Sequence, residues 1–263
     1  MLKRQDFRLP SLSLRFIPVW RRNFLVWRKL AAPSLFGNLV DPAFYMLGMG
    51  YGLGALLPEV NGMSYLVFLA SGTVCYSTMN SASFEALYSG FTRMHVQKTW
   101  EAILNAPLTL DDVMLGELAW TISKSALSGL AMLLIIWAMQ LQSSFALSLW
   151  AIPVIFLMGF CFTGMALVVN AVSPNYDFFM YYFTLAVTPM VLLCGVFYPV
   201  EQLPGFLQQV SAILPLSHAI DMVRPLMLGQ VPEGIARHVG VLLLYGAAGY
   251  YLALALTRRR LLK

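Results

Sequence analysis

The sequence predicts an all-α membrane protein. It has six transmembrane helices, an interfacial helix before them, a short helix on the cytoplasmic face and a re-entrant helix pair on the outer face. Three observations predict it. Only 11% of the 263 residues are charged and 59% are hydrophobic. A soluble domain carries roughly 25% charged residues, so these charges are too few to wet a surface of this size and much of the exterior must face lipid. Apolar runs of about 20 residues, the length a helix needs to cross a bilayer, recur along the chain. Lys and Arg gather at the two ends: Lys3, Arg4, Arg8, Arg15, Arg21, Arg22, Arg28 and Lys29 at one, Arg258, Arg259, Arg260 and Lys263 at the other. That pattern marks the cytoplasmic side of membrane proteins.

Backbone groups in hydrocarbon must pair internally, so each long apolar run reads as helix. The spans fall near 34–57, 65–90, 116–140, 147–172, 178–198 and 238–257. Six crossings return both basic ends to the cytoplasm, which five or seven would not. The plan is a cytoplasmic N-terminal segment over 1–32, a transmembrane domain over 33–259 and a basic tail over 260–263. The net charge of +5 is not spread over a soluble face, so no nucleic-acid partner is expected. Cys75, Cys161 and Cys194 lie far apart in apolar stretches and read as small core residues rather than disulfide or zinc ligands. The first long apolar run begins only near Ser34, so no cleavable signal peptide is expected.

Ahead of the first span, residues 17–31 place Trp20, Phe24, Trp27 and Leu30 on one side of a helix. Arg15, Arg22 and Lys29 fall on the other; Asn23 and Leu25 interrupt the pattern. An aromatic face opposite a basic face describes a helix lying in the membrane interface.

Ionisable side chains inside a span are costly, about 2.5–3.5 kcal/mol each on insertion scales, so they should face protein or water. Asp41 in the first span shares a face with Tyr45 and Gly48, and Gly48, Gly50, Gly52 and Gly54 form two overlapping GxxxG pairs. That face reads either as a subunit seam or pathway wall, or as ordinary helix packing. Glu85 ends a small polar stripe in the second span, and Glu117 and Lys124 share a face of the third. All three lie toward the cytoplasmic half, where charge pairing among them is expected. Tyr181 and Tyr182 belong to an aromatic cluster opening the fifth span, read as an interfacial anchor or as a stacking surface for sugar rings.

Two segments are neither loop nor span. Between the second and third spans, Trp100, Ile103 and Leu104 have helical spacing and Pro107 ends that helix. Thr109 caps a new one with Asp111 and Asp112 in its first turn, where the helix dipole favours acids. The outer segment 199–237 carries two apolar stripes broken at Pro215, with His218, Asp221 and Arg224 recurring every third residue. These three read as a hydrogen-bonded cap; no catalytic residue and no metal site is expected.

The run RMHVQKTWEAILNAPLTLDDVMLGE, beginning at Arg93, resembles the coupling-helix region of type-2 ABC exporter membrane subunits. The run LLCGVFYPVEQLPGFLQQVSAILPLSHAIDMVRPLMLG, beginning at Leu192, resembles their outer re-entrant signature. With WRRNFLVWRK, LVDPAFYMLGMGYGLG, SPNYDFFMYYFTLAVTPM and the terminal RRRLLK, the likeness narrows to the NodJ-type, lipooligosaccharide-exporting branch. The resemblance implies a homodimer paired with two copies of a NodI-type ATPase. That ATPase would dock around Trp100, Glu101, Ile103, Leu104, Leu108 and Leu110. The resemblance also implies export of an amphiphilic glycan from the inner leaflet or cytoplasm of the bacterial inner membrane.

The residues agree with that division of labour. The chain has no GxxxxGK[ST] phosphate loop, so ATP and Mg²⁺ are expected on the partner and no cofactor on this chain. Competing readings are a type-2 exporter of another cargo, such as lipid-linked polysaccharide or a drug, and an embedded enzyme acting on lipid-linked sugar. An enzyme would need clustered carboxylates or histidines, whereas His95, His218 and His238 are scattered along the chain. An ion-coupled carrier would show paired inverted repeats, and no second copy of the Asp41-Pro42 pattern is visible.

Overall fold

The apolar runs satisfy their own backbone groups as helices. The computed structural model describes residues 8–57 and 59–261, so Lys3, Arg4 and Lys263 of the basic ends lie outside them. In chain order the elements are α1 (Phe16–Arg28), α2 (Ala31–Gly52), strands β1 (Glu59–Val60) and β2 (Met63–Ser64), α3 (Tyr65–Phe84), α4 (Thr99–Leu104) and α5 (Leu110–Ala138). There follow α6 (Phe145–Ser148), α7 (Ala151–Val172), α8 (Phe178–Tyr182), α9 (Thr188–Leu193), α10 (Gly205–Ser211), α11 (Pro215–Met227) and α12 (Ile235–Leu261). Two π-helical turns, Glu85–Ser89 and Thr92–Val96, carry α3 onward, and another, Phe183–Val187, joins α8 to α9. Among the described residues, Leu110–Ala138, Phe145–Val172 and Ile235–Leu261 are each long and apolar enough to cross a membrane.

Several ends differ from expectation for visible reasons. The helix expected from 116 begins at Leu110. Thr109 Oγ1 accepts from the Asp112 amide at 3.3 Å, and Asp112 Oδ2 accepts from the Thr109 amide at 2.9 Å. This capping box starts the long helix itself, not a separate short one. The fifth apolar run, expected to stay helical to 198, leaves the helix at Cys194, and Gly195 has φ +82°, a left-handed conformation that glycine adopts without penalty. Helix α2 stops at Gly52 rather than 57. Between α2 and α3 the chain makes a small hairpin, Glu59 opposite Ser64, turned by Asn61 and Gly62 with positive φ at both, the Asn-Gly pair that tight hairpins favour.

Helix α3 is the axle, its side chains buried almost continuously from Phe68 to Ser83. The small polar stripe ending at Glu85 therefore faces protein: Ser71, Cys75, Thr78 and Ala82 are buried, and Ser71 accepts from Arg224. Among the described residues, the most extensive helix contact is between α7 and α12. A Cβ on Gly164 would stand 2.5 Å from the Gly246 carbonyl oxygen, so only glycine permits this contact. In contrast, a Cβ on Gly48 or Gly52 would meet nothing within 4 Å, so that expected GxxxG pair is uncovered in the single chain.

Candidate coupling site

Four elements meet where α3 and α5 flank α4. Glu85 and Arg93 are eight residues apart, about 80° round a regular helix; one inserted π-type residue reduces that to roughly 20°. The π turn over Glu85–Ser89 thus brings both side chains to one face. Arg93 Nη1 donates to Glu85 Oε1 at 2.9 Å, its Nε donates to both Glu117 oxygens at 3.0 Å, and its Nη2 donates to Glu117 Oε2 at 2.5 Å. Lys124 Nζ reaches Glu85 Oε2 at 2.6 Å, and Trp120 Nε1 reaches Glu85 Oε1 at 2.7 Å. The expected pairing is present between Glu85 and Lys124. Glu117 pairs with Arg93 instead, a loop charge to which the sequence reading attached no role.

Charge balance explains how these groups tolerate burial. Desolvation alone would depress the Arg93 guanidinium, but Glu117 and Glu85 more than reverse it and hold it above the ordinary arginine value. The π turns also free carbonyls, and Asn170 Nδ2 on α7 donates to Ala86 O at 2.5 Å.

Helix α4 hangs on this network. Lys98 turns the chain with φ +49°, and Trp100 then points inward, 1% exposed, its Nε1 donating to Glu117 Oε1 at 3.2 Å. Arg22 of α1 donates to Thr99 Oγ1 at 3.3 Å, and Asn23 Nδ2 donates to Glu117 Oε1 at 3.1 Å. Asn23, which interrupts the amphipathic pattern of α1, is thus the residue that ties α1 to the site. Val19 packs into the space left by Gly116, and Trp27 meets Trp120 edge-on at 5.8 Å. A cavity of about 300 Å³ lies among Arg22, Trp27, Arg93, Trp120 and Lys124.

The docking assignment changes accordingly. Trp100 and Leu110 are buried, so they cannot form an open docking face; Ile103, Leu104 and Leu108 are half-buried. Glu101, Ala102 and Asn105 are exposed. Among the pathway candidates, Glu85, Glu117 and Tyr182 are buried, Tyr182 with its hydroxyl 3.4 Å from Ser83 Oγ. Asp41, Tyr45 and Tyr181 are exposed. Asp41 Oδ2 accepts from the Tyr76 hydroxyl at 3.1 Å, and Tyr45 stands edge-on to Tyr76 at 6.0 Å.

The basic C-terminus also does more than flank a span. Arg258 is buried and donates to Asp111 through both Nε and Nη2, at 2.7 Å for the shortest contacts. Arg260 donates to the Ala171 carbonyl at 2.9 Å, satisfying the C-terminal end of α7.

On the opposite end of the bundle, His218, Asp221 and Arg224 do not form a shared cap. Arg224 turns inward to Ser71 Oγ at 3.0 Å and the Gly195 carbonyl at 2.6 Å, over the Phe68 ring. His218 Nδ1 lies 2.8 Å from His238 Nδ1, so two histidines separated in sequence are neighbours. Burial, followed by the neighbouring His238 and Arg237 charges, holds His218 below its ordinary value.

This architecture of apolar helices around a charged junction agrees with sequence comparison. The ABC-2 type transporter family matches residues 13–228. Nodulation protein J of Rhizobium meliloti (strain 1021) is 44% identical over 254 residues, covering 97% of each chain. Its namesake in Bradyrhizobium diazoefficiens is 46% identical over 255 residues, again covering 97% of each. The inner membrane transport permease YadH of Escherichia coli (strain K12) is 22% identical, covering 92% of this chain and 93% of that protein. With membrane-capable helices and a near-complete match, the chain is a multi-pass membrane permease that belongs to the ABC-2 type transporter family and is similar to proteins named nodulation protein J.

Proposed function

We propose that the chain is the membrane-spanning subunit of an ATP-driven exporter of an amphiphilic glycan, a lipo-oligosaccharide of the nodulation-factor type. The cargo reading is supported by the relatives named nodulation protein J. In this reading the chain crosses the bacterial inner membrane six times with both ends cytoplasmic. Helix α1 lies in the inner interface, and α10 and α11 dip into the outer leaflet. ATP and Mg²⁺ are held by a separate NodI-type subunit.

The observation that carries the reading is the mounting of α4. One side is tied through Trp100, Glu117 and Arg93 to α1, α3 and α5, while Glu101, Ala102 and Asn105 on the other side are open. A short helix held rigidly on one side and free on the other suits the transfer of displacement from a soluble ATPase to three helices at once. ATP can shift the transporter only through contacts that differ between nucleotide states, and α4 offers such a contact. The homodimer reading is supported by α2, where Asp41, Tyr45, Gly48 and Gly52 stand uncovered. A carboxylate facing lipid costs at least ~2.5 kcal/mol, and a second copy would shield it.

Replacing Glu101 and Asn105 together by arginine tests the docking face. The expected result is loss of permease-stimulated ATP hydrolysis with an unchanged melting temperature. Full stimulation by the double variant would remove α4 as the contact.

A further inference from the structure

His218 is buried on α11, and its Nδ1 lies 2.8 Å from Nδ1 of His238 near the start of α12. Asp221, one turn further along α11, adds a carboxylate oxygen. One donor atom from each of the three lies within 4.8 Å of the other two. Two facing imidazole nitrogens at this distance share a single proton, and a cation that replaces the proton keeps both nitrogens satisfied.

We propose that His218, His238 and Asp221 form a zinc site that clamps α11 to α12. Two imidazole nitrogens and one carboxylate oxygen are the three-ligand set of open tetrahedral zinc sites, and nitrogen ligands disfavour Ca²⁺ and Mg²⁺. Nitrogens bound at about 2.0–2.1 Å to a tetrahedral ion stand roughly 3.3 Å apart. The facing rings therefore need to part by only about 0.5 Å. Asp221 is exposed and His238 half-exposed, which leaves a route in and a fourth position for water. Arg224 and Arg237 are the nearby cations and Glu201 the nearby anion; the cations weaken the site without occupying it. Arg224 already ties α11 to α3 and to Gly195, so zinc would reinforce the packing of α11 on α12. The site stands on the placement of three side chains and does not depend on the export reading.

The test uses tag-free full-length protein in detergent, stripped with chelator and supplied with Zn²⁺ alone, then with Co²⁺ as a spectroscopic probe. The expected result is one zinc per chain and the intense visible absorption of low-coordinate cobalt. An outer-shell partner alone is worth about 10–100-fold in metal affinity, so His238→Ala and Asp221→Asn should each weaken zinc binding by about 100-fold. His95→Ala should leave it unchanged. His238→Cys, which keeps a ligand, decides the matter if His238→Ala fails to fold: a new thiolate-to-cobalt charge-transfer band supports the site, and its absence overturns it. Substoichiometric zinc on the wild-type chain, or zinc that His238→Ala and Asp221→Asn leave in place, would also overturn it.

Discussion

Glu117 is 1% exposed, and Arg93, Trp100 and Asn23 all donate to it. Removing one member of a buried ion pair costs about 3–5 kcal/mol, since the other is left uncompensated. Glu117→Gln leaves Arg93 and Lys124 to share Glu85 alone and is expected to destabilise by that amount, read as a lower melting temperature in detergent. An unshifted melt would mean that water reaches the site. Trp100→Phe keeps an aromatic side chain but loses half of the buried indole and one hydrogen bond to a charged group, the bond alone worth about 1.5–3 kcal/mol, so it too should lower the melting temperature. The acids were legible in the sequence because ionisable residues in apolar spans must find partners. Arg93 was not legible as their partner, since a regular helix would carry it away from Glu85 and the π turn that returns it leaves no periodic signature. Asn23 looked like a flaw for a related reason: a helix with two neighbours has two buried faces, and the aromatic face alone was counted.

At the scale of elements, the apolar runs, the α1 amphipathicity, the Thr109 cap and the break at Pro215 could all be read, because each is a local consequence of spacing or of one residue's chemistry. Helix contacts could not. The GxxxG pair singled out in α2 is uncovered, whereas Gly164 and Gly246, which no short motif marks, bring α7 against α12. Two leucine substitutions separate these roles. Gly164→Leu drives a side chain into the Gly246 backbone and should destabilise the chain by about 1–3 kcal/mol or more, seen as earlier thermal unfolding. Gly48→Leu points into open space and should leave the monomer's melt unchanged while weakening self-association, measured by light scattering of detergent complexes. Equal association of Gly48→Leu and wild type would place the seam elsewhere. The pairing of His218 with His238 was hidden for the same reason, as it depends on how α11 folds back onto α12.

The whole molecule is a bundle of apolar helices in which Glu85, Arg93, Glu117 and Lys124 are gathered into one junction, and Arg258 pairs with Asp111 on α5. That concentration lets one short helix act on α1, α3 and α5 together, and it makes an external ATPase the natural source of work for a chain with no phosphate loop of its own. The most direct measurement is glycan flux in proteoliposomes containing this chain alone, or this chain with its ATPase and ATP. The expected result is lipo-oligosaccharide movement only when the ATPase and hydrolysable ATP are both present. Flux by the chain alone, driven by an imposed ion gradient, would contradict the account.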